Sequence, residues 1–311
     1  MDMSRIMPRE DTLSSVLSAY NLRARIDTNP RLCGQWQLST TGSGHASFHL
    51  ISEGGCYLHM EDCEPLWLDA GDMLLLPHDD WHLLASEPSF EDRDNHLNLL
   101  DPSEPEPGST QLLCGHFEFD SGRRNPILAA LPDRVIVRHA ESGERLARLA
   151  DLMRLELSEQ SAGYRPVLDR LADTLFVMTV RHYVCHYQEH PEQCLIAALA
   201  DDRIRRALDA LHARPEEAWT VEGLAQEAAM SRTSFAARFT ELVGQAPIDY
   251  LTQWRMVLAE RLLRDPRASV ASVMEQVGYG SEPAFRKAFK RVHGYGPGRI
   301  RRLFSRLTRS H

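Results

Sequence analysis

Residues 278–302 read GYGSEPAFRKAFKRVHGYGPGRIRR, and the way this stretch must fold decides the architecture of the C-terminal third of the chain. Gly278 and Gly280 supply a turn, Ser281 can cap a helix, and Phe285 and Phe289 put two large apolar groups on one face of it. Gly294 and Pro297 then stop that helix. Just upstream, SVASVMEQV (269–277) predicts a shorter helix capped by Ser269 and carrying Val270, Val273 and Val277. The same arrangement occurs once more in WTVEGLAQEAAMSRTSFAARFTELVGQAP (219–247). There Thr220 caps a helix with Val221, Leu224, Ala225 and Ala228, and Ser231 caps a second with Phe235 and Phe239, ended by Gly244 and Pro247. The apolar helix IDYLTQWRMVLAERLL (248–263) joins the two copies. Two helices joined by a tight turn need small residues at their crossing and a second helix whose outer face is free to enter a major groove; both copies meet that requirement.

Charge is divided to match. The 311 residues carry a net charge of −9, but residues 201–311 hold 19 Lys and Arg against 13 Asp and Glu, and residues 251–311 hold 13 against 4. The remaining 16 basic and 31 acidic side chains lie in the first 200 residues. A polyanion partner is therefore expected for the C-terminal part alone. The length suits two domains, 43% apolar content lets each bury a core, and no apolar run suggests a membrane helix or secretory signal. A cytoplasmic location is expected, with the six cysteines reduced, and no CxxC pair points to a zinc ribbon.

Residues 200–305 resemble the AraC family of bacterial transcription regulators, most specifically in the stretch quoted first; Gly296 and Ile300 depart from the Ser and Tyr often found there. The resemblance implies recognition helices in successive major grooves. It places Arg232, Thr233, Ala236 and Ala237 of the first helix, and Glu282, Pro283, Arg286 and Lys287 of the second, towards bases. Arg286 or Lys287 can donate to guanine O6 and N7, whereas Lys290, Arg291, Arg299, Arg301 and Arg302 are expected at phosphates.

The first 140 residues read as β-structure: FHLI (48–51), CYLHM (56–60), LWL (66–68), DMLLLP (72–77) and QLLCGHFEF (111–119), separated by turn signals. The acidic stretch 87–110, with Pro102, Pro105 and Pro107, is expected to be a mobile surface loop. LDAGDMLLLPHDDWHLL resembles the second motif of cupin barrels at Gly71, Pro77 and His82, with Asp79 where the family has Gly; of the first motif only His49 and Glu53 stand nearby. The arrangement is similar to the cupin type found ahead of some AraC-family DNA-binding domains. His49, Glu53, His82, Cys114 and His116 are the expected effector-pocket residues. Cys114 and His116 share a strand face, and with His49 and His82 could form a zinc-like shell for zinc or another divalent metal; the alternative is a pocket without metal.

From residue 143 the period becomes helical, with Leu146, Leu149, Met153 and Leu157, then Leu168, Leu171, Leu175 and Met178. The extra apolar residues Phe176, Val177, Val180, Tyr183 and Val184 either pack on the β-domain or form a dimer seam. DDRIRRALDALHAR (201–214) predicts a further helix, stopped by Pro215.

The expected fold is thus α+β multidomain: an all-β cupin barrel (1–142), a helical linker or dimerisation segment (143–195) and an all-α double helix-turn-helix domain (200–307). The expected function is sequence-specific regulation of transcription, not catalysis. Expected partners are promoter DNA, a small effector, RNA polymerase and a second copy of the chain, with no membrane. Two other readings stay open: a cupin metalloenzyme with an accessory helical domain, and a thiol redox sensor at Cys114 or Cys33.

Overall fold

A computed structural model describes residues 11–90, 94–99, 107–119, 125–186, 195–265 and 267–300. Arg301, Arg302, Pro102, Pro105 and Cys194 lie outside the described residues, as does the side chain of Cys185. The chain divides into two compact units: residues 20–186, and residues 11–19 together with 195–300.

The helical unit opens with α1 (Thr12–Tyr20), a helix the sequence reading did not anticipate. The Thr12 amide and hydroxyl both donate to Asp209 Oδ1, at 2.9 and 2.6 Å, so this N-terminal helix is tied to residues almost two hundred positions later. The expected 1–142 domain therefore gives up its first helix to the C-terminal unit.

In the β-rich unit, β1 (Arg23–Thr28), β2 (Arg31–Leu32), β3 (Gln37–Leu38), β4 (Ala46–Glu53), β5 (Gly55–Met60), β6 (Leu66–Asp69), β7 (Met73–Leu76), β8 (His82–Ala85) and β9 (Thr110–Glu118) precede a short helix α2 (Pro126–Ala129) and β10 (Val135–Val137). One sheet runs β1-β9-β4-β7-β10, with β2 also on β9, and the other runs β3-β8-β5-β6. All of these pairs are antiparallel. The cupin-type sheets do not close into the expected barrel. Their shared interior is filled by Leu32, Trp36, Leu38, Ile51, Leu58, Leu68, Leu74, Leu76, Leu84 and Leu112. Burial of so much branched aliphatic surface is what drives these short strands together, at about 25 cal/mol per Å2.

Part of the acidic stretch expected to be free is pinned. Leu32 bridges Leu99, and Gln37 exchanges backbone hydrogen bonds with His96 at 2.8 and 3.0 Å. The two-residue strands β2 and β3 leave backbone groups that need partners, and single bridges supply them without a regular strand.

Helices α3 (Gly143–Glu159) and α4 (Tyr164–His186) belong to this unit rather than forming a separate linker. Phe176 and Val180 of α4 are buried, the Phe176 ring lies 4.8 Å from that of Phe117, and Asp173 accepts from the Ala24 amide at 2.5 Å. Of the apolar excess of α4, Phe176 and Val180 thus pack on the larger sheet, while Val177, Tyr183 and Val184 are half-buried and Leu152, Leu155 and Val167 stay exposed.

The helical unit continues with α5 (Leu195–Ala200), α6 (Asp202–Ala213), α7 (Val221–Glu227), α8 (Arg232–Val243), α9 (Pro247–Leu262), α10 (Val270–Gln276) and α11 (Glu282–His293). The two predicted helix pairs are α7–α8 and α10–α11. Among described residues no helix is long and apolar enough to cross a membrane.

Candidate nucleic-acid interface and sensor cluster

Each second helix is aimed by its own core. Phe235 and Phe239 of α8, and Phe285 and Phe289 of α11, are fully buried, the latter pair among Met256, Val273 and Val277. Four-residue spacing puts each pair on one helix face, so the opposite face is left to solvent. Caps fix where the helices begin: Thr220 accepts from Gly223 N at 3.1 Å, Ser231 from Ser234 N at 3.2 Å and Ser269 from Ser272 N at 2.9 Å. Ser281 makes no side-chain cap bond, and Pro283 in the first turn presets α11 instead. Gly244 and Gly294 end α8 and α11 in the left-handed region, as expected.

The turns differ. The left-handed position is Ala229 in the first pair and Gly278 in the second, where a Cβ would lie 2.5 Å from the Glu216 carbonyl oxygen. Arg255 of α9 braces that turn, donating to the Pro215 and Glu217 carbonyls at 2.7 Å each, with its guanidinium 5.7 Å from the Tyr279 ring centre.

Of the expected DNA-facing residues, Arg232, Thr233, Ala237, Glu282, Pro283, Arg286, Lys287, Lys290 and Arg291 are exposed and Ala236 is half-buried. Arg286 is paired with Glu282 at 2.6 Å and Arg232 with Glu222 at 3.0 Å, both at the surface, where such pairs hold by about 1 kcal/mol or less. Lys287, Lys290 and Arg291 make no ion pair with any described residue. Arg299 lies with its guanidinium 5.3 Å from the Tyr295 ring centre.

In the β-rich unit the five expected pocket residues separate into three places. His49, His82 and Cys114 meet in the buried interior, with His49 Nδ1 3.0 Å from Cys114 Sγ and His49 Nε2 3.1 Å from His82 Nε2. His82 Nδ1 lies 3.0 Å from the Asp80 carbonyl oxygen, which can only accept, so that nitrogen carries the proton. His82 Nε2 then accepts, with both His49 Nε2 and the Thr40 hydroxyl 3.1 Å from it, and Thr41 Oγ1 lies 3.2 Å from His82 Nδ1. The Cys114 thiol faces the other ring nitrogen of His49. Burial holds both histidines below the usual imidazole range, His49 further so because of His82, and burial pushes the Cys114 thiol far up. Because His49 turns opposite ring nitrogens to its two neighbours, the donors do not converge on one point, and this arrangement does not fit the expected zinc-like shell. A thiol held protonated in this way also lacks the thiolate character of a redox sensor.

Glu53 sits at the far end of β4 and binds Arg31 at 2.7 Å; Arg31, 8% exposed, also donates to Gln111 Oε1 at 3.0 Å. It is a structural pair. His116 lies apart from Cys114's partners, with its Nδ1 2.7 Å from Asp27 and its ring stacked on His45. Sequence reasoning missed Asp72, which is buried and accepts from Arg138 at 2.7 Å, from the His139 amide at 2.8 Å and from the Asp69 amide at 3.0 Å. No sequence signal distinguishes it from the surface aspartates around it. It also missed a cavity of about 510 Å3 lined by Arg23, His45, His78, Phe117, Phe119 and Leu128, with His45 at its wall.

Comparison with known proteins agrees with both units. A cupin family model matches residues 11–185 and a helix-turn-helix domain model matches residues 224–303. An AraC-like transcription regulator of Streptomyces lividans is 33% identical over 306 residues, covering 94% of this chain and 98% of that protein. The HTH-type transcriptional regulator AlkR of Acinetobacter baylyi is 28% identical, covering 94% and 99%. Among solved structures, the DNA-binding domain of AdpA in complex with a target DNA matches 32% of this chain and 88% of that chain at 35% identity, with a TM-score of 0.31. The chain accordingly belongs to the AraC family of DNA-binding transcription regulators, with a cupin domain ahead of its helix-turn-helix domain.

Proposed function

We propose that this regulator reads a specific promoter sequence with α8 and α11, and that a small molecule or chemical signal received by the cupin domain sets its occupancy. It acts by binding, without turnover. The observation that carries the reading is the outer face of α11, where Arg286, Lys287, Lys290 and Arg291 are all exposed while Phe285 and Phe289 anchor the opposite side. Arg286 and Lys287 supply donors for guanine edges, and Lys290, Arg291 and Arg299 supply charge for phosphates. In α8, Arg232 and Thr233 offer polar contacts and Ala236 and Ala237 only methyl groups, so α11 discriminates more strongly between bases.

A homodimer and contact with RNA polymerase are part of the same reading, as is action in the cytoplasm. The exposed Leu152, Leu155 and Val167 of α3 and α4 support the dimer. For the sensor, His49, His82 and Cys114 are buried between the sheets, whereas the cavity of about 510 Å3 beside His45, Arg23 and His78 offers space for a ligand, which favours the cavity. Gel-shift titration against the protein's own upstream region at moderate salt is the direct test. A complex that survives excess unrelated DNA is expected; its absence overturns the reading.

A further inference from the structure

We propose that His45, His116 and Glu118 form a binding site for a single divalent transition-metal ion of the zinc class. The ladder brings these residues together: β4 and β9 pair Ala46 with Phe117, so His45, one residue earlier, stands level with Glu118. His116 and Glu118, two apart on β9, share a face. One donor atom from each lies within 4.8 Å of the others, and among the described residues no other such group of His, Cys, Asp and Glu comes together.

Three features beyond proximity support a metal. His116 Nδ1 lies 2.7 Å from Asp27 Oδ2, a carboxylate that fixes the tautomer with its proton on Nδ1. Metal-binding histidines characteristically have this second partner. The lone pair of His116 Nε2 is thereby left towards Glu118 Oε1 at 3.5 Å, two electron-rich atoms facing each other, an arrangement that a cation between them satisfies. The His45 ring stacks on His116 at 4.8 Å with an interplanar angle of 24°, which lets both imidazoles turn an edge to the same point. Two imidazoles and one carboxylate are a donor set for zinc and its neighbours, and three protein ligands leave a coordination position open. His45 and Glu118 also line the cavity of about 510 Å3, so the ion would stand at its wall, beside Arg23 and His78. An oxygen-donor anion entering the cavity could complete the shell.

The test uses the full chain, stripped with a chelator and titrated with Zn2+ against a chromophoric zinc indicator. Stoichiometric uptake is expected. His45→Ala with Glu118→Gln should weaken it about tenfold or more, and Asp27→Asn alone by about tenfold. The metal-free melting temperature of the His45→Ala, Glu118→Gln variant, altered at surface positions, should match that of the parent; if it does not, the Asp27→Asn arm decides. Cys114→Ser should bind zinc as the parent does. No stoichiometric uptake, as for an imidazolium simply held between two carboxylates, overturns the proposal. So does uptake indifferent to His45, Glu118 and Asp27, or uptake lost in Cys114→Ser. Zinc uptake is read without DNA, so the outcome is independent of the promoter reading.

Discussion

His212 of α6 points Nε2 at the hydroxyl of Tyr250 on α9, 2.8 Å away, with the ring of Trp254 4.1 Å from its own. Burial holds its pKa down to about 3. An unfolded chain takes up a proton at this histidine near pH 6.5, whereas the folded one refuses it. Stability contributed by the neutral ring is therefore complete above about pH 6.5 and is lost as pH falls towards 3, by at most about 1.4 kcal/mol per unit. Urea unfolding of the full chain between pH 7.5 and 5 measures this slope. His212→Gln, which keeps a hydrogen-bonding group and cannot titrate, should reduce the slope by this one histidine's share and leave that of His49 and His82; an unchanged slope refutes the assignment.

Ala229 and Gly278 occupy the same left-handed position in the two helix pairs, and substitution should act on them in opposite directions. Gly278→Ala forces a Cβ against the Glu216 carbonyl and should cost about 1–3 kcal/mol. Ala229→Gly relieves backbone strain and should gain about 0.5–1 kcal/mol after the entropy of glycine is subtracted. Thermal melts of the two variants decide it.

Replacing Arg286 and Lys287 by Ala should weaken specific promoter binding by about 1–3 kcal/mol for each base no longer read, and should relax the preference at those bases. Lys290→Ala with Arg291→Ala should instead weaken binding to all sequences and flatten its salt dependence. Fluorescence anisotropy on specific and scrambled duplexes over a salt series separates the two effects.

The cysteines should differ sharply in reactivity. Cys63 is exposed, Cys56 is buried with its thiol pushed up to about 12, and Cys114 is pushed further still. Alkylation of the native protein at neutral pH, followed by mass spectrometry, should label Cys63 well before Cys56 and Cys114, which stay unmodified until the fold opens. Early labelling of Cys114 contradicts the buried hydrogen-bonded chain.

Asp72→Ala leaves the His139 and Asp69 amides without their carboxylate acceptor, while Arg138 keeps the Trp67 carbonyl at 2.7 Å, and should cost about 1–3 kcal/mol in a urea melt. Glu53→Gln, by contrast, removes the charge from a pair whose carboxylate is 52% exposed and should cost about 1 kcal/mol or less.

The helical half was legible because its signals are local. Caps, phenylalanine spacing and terminal glycines lie within a few residues of what they specify, and α7, α8, α10 and α11 fall where Thr220, Ser231, Ser269 and Ser281 place them. The strands β4, β5, β6, β7 and β9 were legible for the same reason, whereas β1, β2, β3 and β10, short or lacking an apolar run, were not read. Closure of the sheets was not legible either, since whether two sheets meet depends on pairings between distant segments. Likewise, His49 and Cys114 face each other through the pairing of β4 with β9, while His82 comes from β8 of the other sheet, a meeting that no local pattern announces. Parity put His116 on the face of Cys114 but could not tell how far along that face the interior ends, and so Asp27 and His45 went unseen as its companions. Helix α1 escaped notice because its partner, Asp209, is remote in sequence.

That remote bond makes the cupin domain an insert. Its polypeptide both leaves and rejoins the same body, so the two halves are spliced at two seams rather than one. A cut between residues 187 and 194 would leave the fragments clasped through Thr12 and Asp209. An experimenter who shortens the N-terminus to trim the sensor would instead unclip part of the body that holds the DNA-reading helices.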